Sequence, residues 1–147
     1  MNKLTLCPGT FTYHKEDDNL KLTLPVMHIL LDGKDFIKQI RDWTHDKYLS
    51  PLEPKILYDM LHDEWKHHSK VFIGGCECGQ PMCDPLYVRI EEKKYTMIWS
   101  NISTLEDGVN GRTILFRMNP IIFDKDAYFA ELTKMKAWLI KEHYIDE

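Results

Sequence analysis

The sequence of 147 residues has no apolar run long enough to cross a membrane, and its N-terminus lacks the apolar core of a secretory signal. A membrane-spanning helix needs about 18 or more consecutive apolar residues, so we predict no membrane partner and a cytoplasmic location. Positive charge is also scarce, because 19 Lys and Arg stand against 23 Asp and Glu and give a net charge of −4. Nucleic-acid binding relies on clustered cations, so we expect no nucleic-acid partner, whereas a basic protein partner suits this charge.

Familiar signatures of catalysis are missing as well. The sequence contains no G-x-S-x-G nucleophile turn, no phosphate-binding P-loop and no glycine fingerprint for dinucleotides. Acyl transfer, nucleotide hydrolysis and hydride transfer therefore lack their usual sequence support. We favour a protein that is not an enzyme, and the sequence assigns no catalytic or cofactor-binding residue.

Three of the four cysteines lie within residues 71–90, between two strand-like patterns. Residues 71–73 are apolar, and residues 86–90 alternate apolar with polar side chains, which is typical of a half-buried strand. A third run at residues 95–99 follows a connection short enough for a hairpin. These patterns predict an antiparallel meander over about residues 71–99.

Strand patterns nearer the N-terminus stop at prolines. A short pattern at residues 4–6 is closed by Cys7, Pro8 and Gly9, and the alternating pattern at residues 20–24 ends at Pro25. An apolar strand at residues 26–31 follows, and its apolar side chains on both faces favour a central position in a sheet. His28 within it is more typical of a packed histidine than of a metal ligand.

Apolar residues recur at helical spacing from 36 to 43, from 55 to between 64 and 68, and from 125 to about 143. In the first segment Trp43 shares the apolar face with Phe36, Ile37 and Ile40, and Asp35 is a suitable N-cap. The last segment has Asp124 as a suitable N-cap and an apolar stripe of Tyr128, Leu132, Met135 and Leu139. The sequence therefore predicts the α+β class: a mainly antiparallel sheet that contains the meander, helices packed on one face and a C-terminal amphipathic helix. With 44% hydrophobic residues, residues 1–147 are expected to form a single domain.

The connection inside the meander carries Cys76, Cys78 and Cys83 at C-x-C-x4-C spacing, beside glycines whose permissive backbone suits a tight loop. Thiolates that converge in such a loop can bind zinc, but a structural zinc ion almost always takes four ligands. The candidates for the fourth ligand are Cys7, His62, His67 and His68. We choose His67, which gives a zinc site as one hypothesis. The alternative is that the thiols are buried and simply fill space at a hairpin end.

The histidines belong to the segment HDEWKHH at residues 62–68. Zinc proteases place two histidines at i and i+4 on one helix face, with a glutamate after the first. Here the spacings are i+5 and i+6, so this motif is not present, and the segment is more typical of an exposed helix end. Cys76 or Cys78 with one of these imidazoles is also a candidate nucleophile and base, which is the basis of a thiol-enzyme alternative.

The strings GGCECGQPMCDPLYVRI at 74–90, IWS at 98–100 and FDKDAYFAEL at 123–132 resemble an uncharacterised bacterial protein family. Its members carry a similar loop leading into a strand (G-C-x-C-G-x-x-x-C-x-P-L), a tryptophan-bearing strand, and a Phe-Asp pair followed by a tyrosine-bearing helix. The resemblance covers roughly residues 71–135. Relatives follow the tryptophan strand with an aromatic or basic segment containing Pro-His, where this chain has NISTLEDGVNGR. The resemblance implies a shared fold unit and no particular activity.

Residues 100–112 are polar and contain an Asn-Gly pair, which predicts a loop where binding residues could lie. Taken together, the sequence predicts a small acidic bacterial protein that acts as a non-enzymatic protein-interaction module. One concrete version is an immunity protein that neutralises a basic toxin, because complementary charge speeds association. The alternatives are a zinc-stabilised binding module built on the cysteine loop and a thiol-dependent enzyme.

Overall fold

The computed structural model describes residues 1–15, 20–44, 49–76, 85–105 and 113–146. Its strands are β1 (Leu4–Lys15), β2 (Leu20–Leu31), β3 (Lys34–Asp35), β4 (Leu49–Pro51), β5 (Val71–Cys76), β6 (Leu86–Glu92), β7 (Thr96–Leu105), β8 (Thr113–Leu115) and β9 (Ile121–Asp124). Its helices are α1 (Phe36–Thr44), α2 (Pro54–His62) and α3 (Lys125–Lys141), with a short 3-10 helix at Glu64–Lys66. The predicted α+β class with antiparallel sheets and a C-terminal helix is confirmed. Within these ranges, no helix is both long and apolar enough to cross a membrane.

The larger sheet has the strand order β4-β5-β6-β7-β8, and β9 pairs with the same edge of β7 as β8 does. Strands β5, β6 and β7 follow one another as antiparallel neighbours, so the predicted meander is confirmed. The prediction of a loop from residue 100 is wrong in its first part, because β7 continues to Leu105 and pairs there with β8. Residues 106–112 lie outside the described ranges.

A β-bulge explains why the sequence pattern did not predict the second half of β7. Tyr87 lies opposite Ser103 but Arg89 lies opposite Ser100, so β7 has one residue more than β6 across this interval. Asn101 takes a left-handed backbone with φ of 52°, which is the conformation that such a bulge uses. The extra residue interrupts the two-residue alternation, and the strand therefore resembled a polar loop.

The smaller sheet is a long hairpin of β1 and β2, with β3 on the far side of β2. The central position predicted for the strand at 26–31 is confirmed. The prediction that strands end at Pro8 and Pro25 is wrong, because β1 and β2 continue through these residues. The Leu6 amide donates to Glu131 Oε1, away from β2, at 2.9 Å, and the Met27 amide donates to the Leu52 carbonyl, away from β1, at 3.0 Å. Because strand amides alternate in direction, Pro8 and Pro25, each two residues away, remove no hydrogen bond from the hairpin ladder.

One hydrophobic core joins both sheets and all three of the described helices. The helices contribute Phe36, Ile37 and Ile40 from α1, Leu57 and Leu61 from α2, and Tyr128, Leu132, Met135 and Leu139 from α3. The α3 stripe is the one that the sequence predicted. Both predicted N-caps are also confirmed, since Asp35 accepts a hydrogen bond from the Lys38 amide at 3.1 Å and Asp124 accepts one from the Ala127 amide at 2.9 Å.

Trp99 on β7 lies at the centre of this core and is fully buried. Its ring lies 5.0 Å from Phe123, 6.3 Å from Tyr128 and 6.4 Å from Phe36, between ring centroids. Its indole Nε1 donates to the Tyr128 hydroxyl at 3.1 Å, which satisfies both buried polar groups. Burial raises the pKa of Tyr128, so this hydroxyl stays protonated well into the alkaline range.

Candidate functional site

The predicted zinc site falls largely outside the described residues. Cys78 and Cys83 are not among them, and for Cys76 only the backbone is described, as the last residue of β5 opposite Leu49 on β4. The zinc hypothesis therefore stays a prediction. In the part of the chain that is described, no group of three or more His, Cys, Asp or Glu is arranged to hold a metal ion.

The predicted fourth ligand, His67, lies near the other end of β5. Val71 begins the strand and Cys76 ends it, so their backbones are roughly 16 Å apart at the usual strand rise. The His67 imidazole is exposed, and its Nε2 lies 3.4 Å from Asp63 Oδ1. His68 likewise faces Glu64 at 3.1 Å. Both histidines thus have acidic neighbours at the end of α2, as expected of a solvated helix end.

The sequence could not locate Cys7 relative to the other cysteines, and the structure places it in the smaller sheet. Cys7 is exposed and lies opposite His28 in the register of β1 and β2. The His28 ring covers Gly9, since a Cβ at Gly9 would lie 2.8 Å from Nε2, while Nδ1 lies 3.5 Å from Asp35 Oδ2. The sequence predicted a core or edge histidine with its polar atoms satisfied; the ring is packed, but its Nδ1 is buried without a hydrogen-bond partner among the described residues. Its ring is directed toward Gly9 and Asp35, and the Cys7 thiol instead approaches the Pro8 carbonyl at 3.8 Å.

A groove of about 420 Å³ lies on the outer face of the larger sheet, and we call it the outer groove. Its lining residues come from β6, β7, β8 and the two positions before β5: Ser69, Lys70, Arg89, Asn101, Ser103 and Leu115. The alternation in β6 places Val88 and Ile90 on the core face and Tyr87 and Arg89 on the opposite face, where Tyr87 is also buried and Arg89 is exposed. The lining therefore offers two cations, two hydroxyls and an amide, with one apolar side chain at the side. None of the described lining residues is acidic, and the Glu91 carboxylate contacts Arg89 at the side of the groove.

Lys70 and Arg89 are two like charges that line the outer groove. Val71 pairs with Val88, and Lys70 and Arg89 are the next residues beyond that pair, with both side chains exposed. The Lys70 ammonium lies 4.1 Å from the centroid of the Tyr87 ring, and Arg89 Nε lies 3.4 Å from Glu91 Oε1. Like charges that face one another across a sheet destabilise it. The contacts with Tyr87 and Glu91 offset part of this repulsion in the free protein, and the two cations favour binding of an anion.

We expect the repulsion between Lys70 and Arg89 to be measurable by a double-mutant cycle. Replacing both by glutamine, singly and together, should give an unfavourable coupling free energy of about 0.2–1 kcal/mol for the wild-type pair. The coupling should shrink as ionic strength rises. Urea unfolding of the four proteins provides the measurement.

The matched control for this cycle is Lys55 with Asp59, whose Nζ and Oδ2 atoms lie 2.7 Å apart. The same cycle on that pair should give a favourable coupling, because the charges are opposite at i and i+4. A zero or favourable coupling between Lys70 and Arg89 at low salt would contradict the like-charge arrangement.

Several exposed apolar side chains lie at or near the sheet edge formed by β8, and Trp43 reaches this edge through its contact with Phe116. Trp43 is 55% exposed, Leu115 56% and Met118 37%, and the Phe116 ring lies 5.6 Å from the Trp43 ring. We call Trp43, Leu115, Phe116 and Met118 the β8 surface. The sequence placed Trp43 on the buried face of α1, but Trp43 lies one residue before the end of that helix, and its exposed indole contacts Phe116 at the margin of the core.

Sequence reasoning missed both surfaces, although part of the signal was present. The alternation of β6 already directs Tyr87 and Arg89 to one face, but Lys70 and Ser103 join them only through the strand register. Comparison of the chain with protein-family models, curated protein sequences and solved structures finds no match.

Proposed function

We propose that this chain is a cytoplasmic, non-enzymatic protein-interaction module that binds another protein through the β8 surface. The observation that carries the proposal is Trp43, a large apolar side chain left more than half exposed and held by Phe116. Tryptophan is enriched among the residues that contribute most to protein–protein binding. Grouped exposed apolar side chains mark interaction sites more often than single ones do.

The geometry of the β8 surface suits rapid and specific docking. The Phe116 amide donates to the Ile102 carbonyl at 2.8 Å, and the Met118 amide donates to the Phe116 carbonyl at 3.0 Å, so the backbone here is held to β7. A side chain that is already positioned loses less conformational freedom on binding. Trp43 would then act as an anchor, while Leu115 and Met118 exclude water around it.

An immunity protein that neutralises a toxin is one version of this proposal. Its support is the small size and the net charge of −4, which would speed association with a basic toxin. The zinc-stabilised alternative rests on the sequence pattern of Cys76, Cys78 and Cys83 with His67. Elemental analysis of the purified chain after dialysis against a mild chelator tests that alternative separately.

Site-specific photo-crosslinking in the native host tests the proposal. A benzophenone amino acid placed at Met118 should yield one discrete crosslinked species, because the Met118 backbone bonds to Phe116, whose ring contacts the Trp43 anchor. The matched control places the same amino acid at Tyr95, an aromatic residue that is 71% exposed and lies outside the β8 surface. Adding Trp43→Ala to the first variant should remove the crosslinked species. Equal crosslinking from both positions, or none from position 118, would refute the proposal.

A further inference from the structure

We propose that the outer groove is a carboxylate-binding site that takes an acidic side chain of the partner protein. This inference rests on the proposed function and names the chemistry that the partner presents next to the β8 surface. Leu115 belongs to both the outer groove and the β8 surface, so one bound protein can cover the two together. The inference differs from the net-charge argument, because the local charge of the groove is opposite in sign to that of the whole chain.

The charges of the groove select an anion. Lys70 and Arg89 both line the groove, and a carboxylate between them would offset their repulsion. The arginine guanidinium presents a planar fork of N–H donors that matches the two oxygens of a carboxylate. Glu91 contacts Arg89 through Nε at 3.4 Å, at the side of the guanidinium rather than at its outer end. The guanidinium carries five N–H donors, and the contact through Nε leaves the donors of the terminal nitrogens to face a carboxylate of the partner.

The remaining lining fits the rest of an acidic side chain and its backbone. Ser69, Asn101 and Ser103 carry hydroxyl and amide groups that can bond to a peptide backbone or to a second carboxylate oxygen. Asn101 projects from the bulge of β7, where the left-handed backbone turns the strand locally. Leu115 offers an apolar contact to a methylene chain. A volume of about 420 Å³ accommodates one side chain with adjoining peptide groups.

An NMR titration of the full ¹⁵N-labelled chain tests this inference with N-acetylglutamate as the probe. We expect saturable shifts at the amides of Ser69, Lys70 and Ser103, with a dissociation constant in the millimolar range, as a few charge-assisted hydrogen bonds allow. N-acetylglutamine, which has the same shape without the charge, should leave these amides unchanged. Arg89→Gln should weaken N-acetylglutamate binding about tenfold or more. The unchanged remainder of each spectrum reports that the variant is folded.

The outcomes separate this inference from the proposed function. Trp43→Ala should leave the titration unaltered, because Trp43 is not part of the groove. Equal shifts with N-acetylglutamine, or no saturable shift with N-acetylglutamate, would overturn the carboxylate site while leaving the crosslinking result at position 118 to decide the β8 surface. Inorganic phosphate that binds more tightly than N-acetylglutamate would overturn it in favour of a phosphorylated ligand.

Discussion

Replacing Trp99 by alanine is expected to lower the free energy of unfolding by about 3–5 kcal/mol, the range for removing a large aromatic side chain from a core. The side chain is fully buried and lies against Phe36, Phe123 and Tyr128, which belong to α1, β9 and α3. Its removal also takes away the hydrogen bond to the Tyr128 hydroxyl. A loss of this size approaches the whole free energy of unfolding of a small domain, so much of the variant should be unfolded at ambient temperature.

Urea unfolding followed by circular dichroism measures this effect, with Trp138→Ala as the matched control. Trp138 is only partly buried near the end of α3, where it stacks on Tyr144 at 5.5 Å between centroids. Its truncation should lower the free energy of unfolding by a clearly smaller amount. Similar losses for the two variants would show that Trp99 is not the centre of the core.

The sequence predicted the elements whose patterns are local and regular. The helix α3 has Tyr128, Leu132 and Met135 at helical spacing, and one face of that helix is buried as predicted. Asp35 and Asp124 precede helices with the side-chain chemistry that an N-cap needs. The meander was visible because β5 and β6 keep their apolar patterns on either side of the cysteine loop.

The sequence predictions were wrong where tertiary contacts determine the structural role of a residue. Pro8 and Pro25 would end strands if their positions needed an amide hydrogen toward the hairpin partner, and only the structure shows that they do not. Asn101 shifts the alternation of β7 by one residue. Trp43 satisfies the helical spacing of a buried face, but it lies at the end of α1, where it contacts only the margin of the core through Phe116 and stays 55% exposed.

The outer groove and the β8 surface could not be predicted for a related reason. The outer groove combines residues from Ser69 to Leu115, and their proximity depends on strand register and on the bulges in two strand pairs. Composition gave a net charge of −4, yet the local field at the groove is set by Lys70 and Arg89. Net charge affects how fast two proteins associate from a distance, whereas the side-chain pairs in the interface determine which groups are recognised on contact.

Replacing Trp43 by alanine is expected to weaken partner binding about 30-fold or more, which corresponds to the roughly 2 kcal/mol that defines a dominant interface residue. The indole supplies the largest apolar area on the β8 surface, and its contact with Phe116 positions it before binding. The stability of the free chain should fall by about 1 kcal/mol or less, because the side chain is 55% exposed. The loss of binding would therefore not reflect unfolding.

The measurement that tests the central claim most directly is isothermal titration calorimetry with the partner that crosslinks at position 118. Wild type, Trp43→Ala and Tyr95→Ala are compared, because Tyr95 is an exposed aromatic residue away from the β8 surface. We predict that Trp43→Ala binds at least about 30-fold more weakly while Tyr95→Ala stays within about twofold of wild type. Equal affinity of wild type and Trp43→Ala, or an equal loss in both variants, would contradict recognition through the β8 surface.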